Sequence, residues 1–373
     1  MKKCRVLELI GGSLTDGGAE TLVKDYVINL NPESFESAVF VDWVIPETAN
    51  SRILSEHGAR ILTVFPRYNL FWRAIDKFFR RSFFIRKLRK AIRVFKPDVI
   101  HAHLSALEYL SELCPELEGI KVLYTCHSTP SMMVEEGSAE DAAARTLIRE
   151  CGMRMIALHE QMAEELNARF GVINTVVVNN GIDLERFRSV PESKDSIRES
   201  LGIPADAFVI GHVGRFSEEK NHTHILKAFK EVKRIEGKAF LLLVGSGLLK
   251  EETGRALAES GLDKSSLILS NRKDIPRILK AMDVFVLPSV YEGFPISLIE
   301  AQAAGLRCVV SDTVPSDSFI TDHVTALSLD APLETWRDEL LKKDGGDGYT
   351  DRLDEFDMKR IIDRVERLYL GEV

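Results

Sequence analysis

The chain has no CxxC pair, no Cys/His ligand spacing and no DxD-type motif at the end of a strand-like run. Its five cysteines (Cys4, Cys114, Cys126, Cys151 and Cys308) are scattered over 373 residues. That excludes a structural zinc cluster and a disulfide framework, and fits a reducing compartment. No apolar run approaches transmembrane length, and Glu8 interrupts the N-terminal MKKCRVLELIGG too soon for a signal peptide. The expected location is the cytoplasm, or the cytoplasmic face of a membrane. Surplus positive charge is missing too: the net charge of −8 argues against non-specific nucleic-acid binding. A GxGxxG fingerprint is absent, and no acid follows the second strand-like run at the spacing a dinucleotide ribose needs.

What is present is alternation. CRVLELI, SAVFVDWVI, ARILTVF, PDVIHAH, KVLYTC, MRMIAL and NTVVVNN read as strands, separated by helical stretches such as AETLVKDYVINL. After a turn at Asn180-Gly181 the pattern starts again with AFVIGHVG, KAFLLLVG, SSLILS, DVFVLP and RCVVSD. A chain of this length is too long for one ordinary core. The expected architecture is α/β, with two Rossmann-like, doubly wound parallel-sheet domains. The boundaries are read as 1–181, 182–352 and a C-terminal helical segment, 353–373, after the loop KKDGGDGYT (342–350).

In such sheets ligands bind beyond the carboxyl ends of strands, so the loops there are the candidates. The stretch Asp283–Asp312 reads as strand, turn, helix, strand, with Glu292 in the turn, Phe294-Pro295-Ile296 at the helix mouth and Glu300 two turns along. A strand feeding a helix N-terminus suits an anion, and the adjacent acids suit a ligand that also carries hydroxyls. Arg215 and Lys220 follow the first strand of the second half as a pair of cations suited to a pyrophosphate, and Gly245 and Gly247 follow the second. In the first half, GGSLTDGGAE places Gly17 and Gly18 before a helix opening at Ala19, although a plain strand-to-helix turn would look the same. His101 and His103 end one strand and His127 follows another. With no cysteine or carboxylate cluster nearby in sequence, a metal role is not assigned. His127 is the preferred functional histidine, for hydroxyl binding or proton transfer.

Residues 66–96 carry eleven Lys/Arg against one acid, Asp76, interleaved with Tyr68, Phe71, Trp72, Phe78, Phe79, Phe83, Phe84 and Phe95. Contact with an anionic membrane surface is the reading taken. The alternative is a helix that packs its aromatics on the sheet and leaves its charges in water.

The motifs NGIDLERF (180–187), GRFSEEKN (214–221), SNRKDIPRIL (270–279) and YEGFPISLIEAQAAGLRCVVSD (291–312) resemble those of the retaining glycosyltransferases of family 4. The hallmark is the pair of glutamates eight residues apart, and the EpsF-type enzymes of exopolysaccharide and capsule synthesis are the most similar branch. The resemblance implies the GT-B fold, two domains facing across a cleft with the last helix returning to the first domain. It implies a hexose or N-acetylhexosamine moved from a nucleotide-diphosphate sugar, UDP being expected, to a glycan or lipid-linked acceptor, without metal or other cofactor. Carried over by residue, Arg215 and Lys220 would bind the diphosphate, Glu292 the sugar and Glu300 the ribose. The backbone at Phe294, Pro295 and Ile296 would meet phosphate, Gly245 and Arg272 would line the nucleotide, His127 would approach the transferred sugar, and Gly17 or Gly18 would close over the phosphates. Ser270-Asn271 stand where relatives commonly carry a glycine. A nucleotide-sugar epimerase of the same fold, or a non-catalytic sugar-nucleotide-binding component, are the competing readings.

Overall fold

The computed structural model describes residues 2–46, 48–65, 70–343 and 350–372. The chain divides into two compact units, one formed by Met1–Gly181 with Met358–Val373, the other by Ile182–Asp357. Most of the loop expected at 342–350 lies outside the described residues, as do the side chains of 66–78.

The first unit is built on seven strands: β1 (Cys4–Gly11), β2 (Phe35–Val41), β3 (Arg60–Thr63), β4 (Val99–Leu104), β5 (Lys121–Thr125), β6 (Arg154–Ala157) and β7 (Val176–Val177). They lie in the order β3-β2-β1-β4-β5-β6-β7, every neighbouring pair parallel. The order reverses between β1 and β4, so a crevice is expected beyond the carboxyl ends of these two strands. One sheet face packs through Val6, Val99, Leu123 and Ile156 against Leu22 and Tyr26 of helix Gly18–Asn29. The last helix, Met358–Leu370, covers the same face with Met358, Ile361, Ile362, Val365, Leu368 and Tyr369. That spacing of three and four is one helical stripe, and each such side chain contributes about 1.5–3 kcal/mol on burial. The helix therefore belongs to the first unit although the whole second unit precedes it in the chain.

The second unit has six strands: β8 (Phe208–Val213), β9 (Ala239–Val244), β10 (Ser266–Leu269), β11 (Val284–Leu287), β12 (Arg307–Ser311) and β13 (Val324–Leu327). Their order is β10-β9-β8-β11-β12-β13, again parallel throughout. Alternate residues feed two cores. Val209, Leu242, Phe285 and Val310 face one side, while Ile210, Leu241, Val284 and Val309 face the other. The reversal here falls between β8 and β11.

Helix Leu70–Phe95 carries most of the basic segment. From Phe79 onward its apolar residues Phe84, Leu88, Ala91, Ile92 and Phe95 are buried. Several of its arginines meet acids of neighbouring elements: Arg80 pairs with Asp42, Arg81 with Glu108 and Glu112, and Arg89 with Glu116. The described part of the segment thus packs as a structural helix on the sheet, while Arg86, Lys90 and Arg93 are exposed.

Asp42 also corrects an expectation. An acid does follow the second strand directly, where a dinucleotide-binding fold would hold a ribose. Its side chain is 1% exposed and tied to Arg80, so it serves the helix rather than a ligand.

Candidate active site

In the second unit the loops after β10, β9, β8 and β11 emerge side by side at one sheet edge. Lys220 comes from the loop after β8 and Glu292 from the loop after β11, the two strands that flank the reversal. Their side chains meet: Lys220 Nζ donates to Glu292 Oε1 at 2.5 Å. Ser289 Oγ donates to the same oxygen at 2.6 Å. Both members of the ion pair are largely shielded, at 15% and 10% side-chain exposure, so their charges are weakly screened. Arg215 lies two residues beyond β8, exposed, and has no ion-pair partner among the described residues.

The glycines of the β9 loop meet a requirement of the backbone itself. Gly245 and Gly247 have φ of +158° and +151°. A Cβ on Gly245 would lie 1.8 Å from the carbonyl oxygen of Gly214, and one on Gly247 would lie 2.4 Å from that of Phe216. They permit close approach to the backbone of the β8 loop, which carries Arg215. Gly245→Ala is expected to cost about 1–3 kcal/mol of stability through backbone strain alone. Its melting temperature and its affinity for the donor should fall together; an unchanged melting temperature would show that the two loops do not depend on each other.

The departure at Ser270-Asn271 is accommodated locally. Asn271 takes φ +55°, the left-handed conformation that asparagine tolerates better than most residues. Ser270 Oγ donates to the Gly245 carbonyl at 2.8 Å. Arg272 is engaged by Asp274 through two hydrogen bonds, at 2.7 and 2.5 Å, so its guanidinium plane is already oriented.

Helix Ile296–Ala303 opens at Pro295, with Phe294 buried and stacked on Phe356 at 5.7 Å between ring centroids. The aromatic side chain anchors the turn, which leaves the backbone at the helix mouth as the part available to an anion. Glu300 lies on this helix, half-buried, one turn past Ile296.

In the first unit the β1 loop is fixed by its own side chains. Asp16 accepts from the backbone N–H groups of Ala49 and Asn50, at 3.0 and 2.9 Å, and Thr15 Oγ1 donates to Glu20 at 2.6 Å. The helix opens at Gly18, one residue earlier than expected, with Gly17 as its cap at φ −73°. Neither glycine is required by backbone conformation; what they provide is a helix mouth without side chains.

Beside it, at the reversal between β1 and β4, lies a buried polar network. Glu8 is in register with His101. His103 Nε2 lies 2.9 Å from Glu8 Oε2, and His103 Nδ1 lies 2.9 Å from His127 Nε2. Tyr369 of the last helix donates to Glu8 Oε1 at 2.8 Å, its hydroxyl lies 2.7 Å from His101 Nδ1, and His101 Nε2 lies 2.7 Å from Thr125 Oγ1. Burial, with His103 alongside, holds the pKa values of His101 and His127 well below the ordinary histidine range, and burial lowers that of His103 to about 3. All three rings are therefore neutral near pH 7. Burial pushes the Glu8 carboxyl up, opposed by His101 and the Tyr369 hydroxyl. The carboxylate that sequence spacing did not place near His101 and His103 is thus present, and ligand atoms of Glu8, His101 and His103 lie within 4.8 Å of one another. Each of these histidine nitrogens already has a hydrogen-bond partner in the network, so the geometry is that of a proton-ordered chain.

Residues 16–186 match the model of Glycosyltransferase Family 4, and residues 193–341 match Glycosyl transferases group 1. The glycosyltransferase EpsF of Bacillus subtilis is 31% identical over 91% of this chain and 87% of its own. The chain belongs to glycosyltransferase family 4. As a glycosyltransferase it is also similar to the UDP-Gal:alpha-D-GlcNAc-diphosphoundecaprenol alpha-1,3-galactosyltransferase of Escherichia coli, at 27% identity over 77% of this chain and 78% of that one. Among solved structures, HepE from Anabaena in complex with UDP-glucose superposes with a TM-score of 0.75 at 18% identity, covering 99% of this chain and 100% of that one. WaaG, a glycosyltransferase involved in lipopolysaccharide biosynthesis, gives 0.74 at 12%, covering 98% and 100%. These likenesses show the fold, which is GT-B.

Proposed function

We propose that this glycosyltransferase is a retaining, metal-independent enzyme that moves a hexose or N-acetylhexosamine from a UDP-sugar to a glycan or lipid-linked acceptor in bacterial cell-surface polysaccharide synthesis. The observation that carries the donor assignment is the meeting of Lys220 and Glu292 at the strand reversal of the second unit. A cation there, with Arg215 on the same loop, compensates the charge that develops on the departing diphosphate. Glu292 accepts from hydroxyls of the donor sugar, and Glu300 from those of the ribose. The backbone at Phe294, Pro295 and Ile296, with Gly17 or Gly18 of the first unit, meets phosphate. Gly245 and Arg272 line the nucleotide, and His127 addresses a hydroxyl of the transferred sugar. In the reaction the bond from the anomeric carbon to the diphosphate oxygen breaks, and the acceptor oxygen bonds the same carbon on the same face. The acceptor proton passes to the departing phosphate. The UDP-glucose bound by HepE and the lipid-linked acceptor named for the Escherichia coli relative support this reading.

Thermal-shift titration with UDP-, GDP- and ADP-sugars, followed by donor hydrolysis with and without candidate acceptors, tests it. Stabilisation by a UDP-sugar and slow hydrolysis accelerated by an acceptor are expected. Epimer formation without transfer, or binding without turnover, would replace the proposal by an epimerase or by a non-catalytic binding protein.

A lipid-linked acceptor places the enzyme at the cytoplasmic membrane surface, with 66–96 as the contact. Among the described residues no helix is long and apolar enough to cross a membrane. Because Arg80, Arg81 and Arg89 are committed to acids, the exposed charges that the described part of the helix offers to lipid are Arg86, Lys90 and Arg93. Replacing these three with Glu should weaken binding to phosphatidylserine vesicles about 100-fold at low salt, at about 1 kcal/mol per basic residue. Unchanged sedimentation with vesicles would remove membrane contact from the proposal.

A further inference from the structure

We infer that Glu8 and His103 are positioning residues that fix the tautomer of His127, so that His127 offers a bare Nδ1 as acceptor to a substrate hydroxyl. The inference deepens the role proposed for His127 and rests on it.

The logic follows from counting protons along the network. Two donors reach Glu8 directly, the Tyr369 hydroxyl at Oε1 and His103 at Oε2, and His101 Nδ1 lies 3.6 Å from Oε2. These polar groups around its two oxygens favour the ionised form of Glu8 against its burial, and an ionised carboxylate accepts at both oxygens. Its contact with His103 then puts the His103 proton on Nε2, and a neutral imidazole has only one. His103 Nδ1 is therefore an acceptor, and the atom facing it, His127 Nε2, must carry a proton. In a neutral His127 that leaves Nδ1 unprotonated, and it has no hydrogen-bond partner among the described residues. The other branch closes in the same way. Tyr369 spends its hydrogen on Glu8, so it accepts from His101 Nδ1–H, and His101 Nε2 accepts from Thr125. One buried acid thus orders the protons of three histidines, a tyrosine and a threonine.

The arrangement has a chemical consequence. Reversing the chain would turn His127 Nδ1–H into a donor that competes with the hydroxyl hydrogen it is meant to accept. A loop histidine without this backing would sample both tautomers. His127 stands immediately after Cys126, at the end of β5, where the network gives it a single polarity.

The experiment uses full-length protein labelled with 15N-histidine. Long-range 1H–15N spectra at about pH 8 distinguish protonated from bare ring nitrogens. The wild type should show neutral rings with the proton on Nε2 of His103 and His127 and on Nδ1 of His101. Glu8→Gln removes the fixed charge, because a carboxamide can either donate to His103 or accept from it. In that variant His127 should appear in both tautomers, and kcat/KM for transfer should fall about tenfold. Tyr369→Phe removes a buried hydrogen bond from the same acid but leaves the His103 branch, so it should lower the melting temperature while keeping the His127 signature. A proton on Nδ1 of wild-type His127 overturns the inference. So does the same His127 spectrum in both variants, which would reduce Glu8 to a structural role. Because the spectra are read without substrate, an intact tautomer pattern together with full activity of His127→Ala would instead discard the proposed sugar contact.

Discussion

Replacing Lys220 with alanine is expected to lower transfer by about 100- to 1,000-fold, the loss typical of removing one preorganised donor from a developing oxyanion. The argument rests on position and on shielding. Lys220 sits at the mouth of the loop after β8, and Glu292 holds it at 2.5 Å from the neighbouring strand's loop. In this low-exposure setting a positive charge acts on a departing diphosphate far more strongly than it would in water. The fold should survive the change, because Glu292 keeps its hydrogen bond from Ser289 and the helix that follows Lys220 is capped independently by Asn221, whose side chain accepts from the His224 N–H. The measurement is turnover at saturating donor, with thermal unfolding as the control. A melting temperature near that of the wild type with turnover reduced is the expected pair of results. Near-normal turnover would refute the assignment of Lys220 to the diphosphate.

The residues proposed for the donor side were picked out in the sequence because they follow strands that announce themselves. AFLLLV and VFVL are unbroken apolar runs and AFVIGHV is broken only by His212, as suits strands buried on both faces, and the loops after them are short and rich in glycine and charge. What the sequence did not disclose is which loops touch. Lys220 and Glu292 are 72 positions apart, and only the placement of β8 beside β11 brings them into contact. Strand β13 went unread because Val324–Leu327 is short and partly exposed, so it carries no clear apolar pattern. In the first unit Glu8 was read only as an interruption of a hydrophobic run. The signal was there: a charged residue inside a buried strand needs partners. Its partners lie on β4 and on the last helix, which no local pattern reveals. The partners of the basic segment were hidden for a related reason, since helical charge looks the same in sequence whether it meets lipid, water or the acids of a neighbouring helix, and here Arg80, Arg81 and Arg89 meet acids.

Removal of the Arg198 side chain is expected to be the most damaging single change to stability in the second unit, about 3–5 kcal/mol for Arg198→Ala. Arg198 lies on helix Lys194–Leu201 and is 5% exposed. Its Nε donates to the Ala281 carbonyl at 2.9 Å, Nη1 to that of Ala207 at 3.1 Å, and Nη2 to Asp283 Oδ2 at 2.6 Å. Alanine would leave those buried carbonyls without a donor, which costs more than the bonds themselves are worth. Asp283 is the residue just before β11, and its Oδ2 also accepts from the Val209 N–H of β8 at 2.7 Å. Arg198 therefore holds together the starting ends of the two strands whose far ends carry Lys220 and Glu292. Lys194, the other cation on Asp283, is 39% exposed and should contribute no more than about 1 kcal/mol. Melting temperatures measured side by side separate the two cases. Arg198→Ala should lower the transition of this unit by roughly 10 °C and Lys194→Ala by no more than about 4 °C. Equal shifts would show that the carbonyl contacts of Arg198 carry little of the stability. In a partly unfolded Arg198→Ala enzyme, donor affinity should recover on cooling, because the residues proposed to hold the donor are untouched and only the strands beneath them have been loosened.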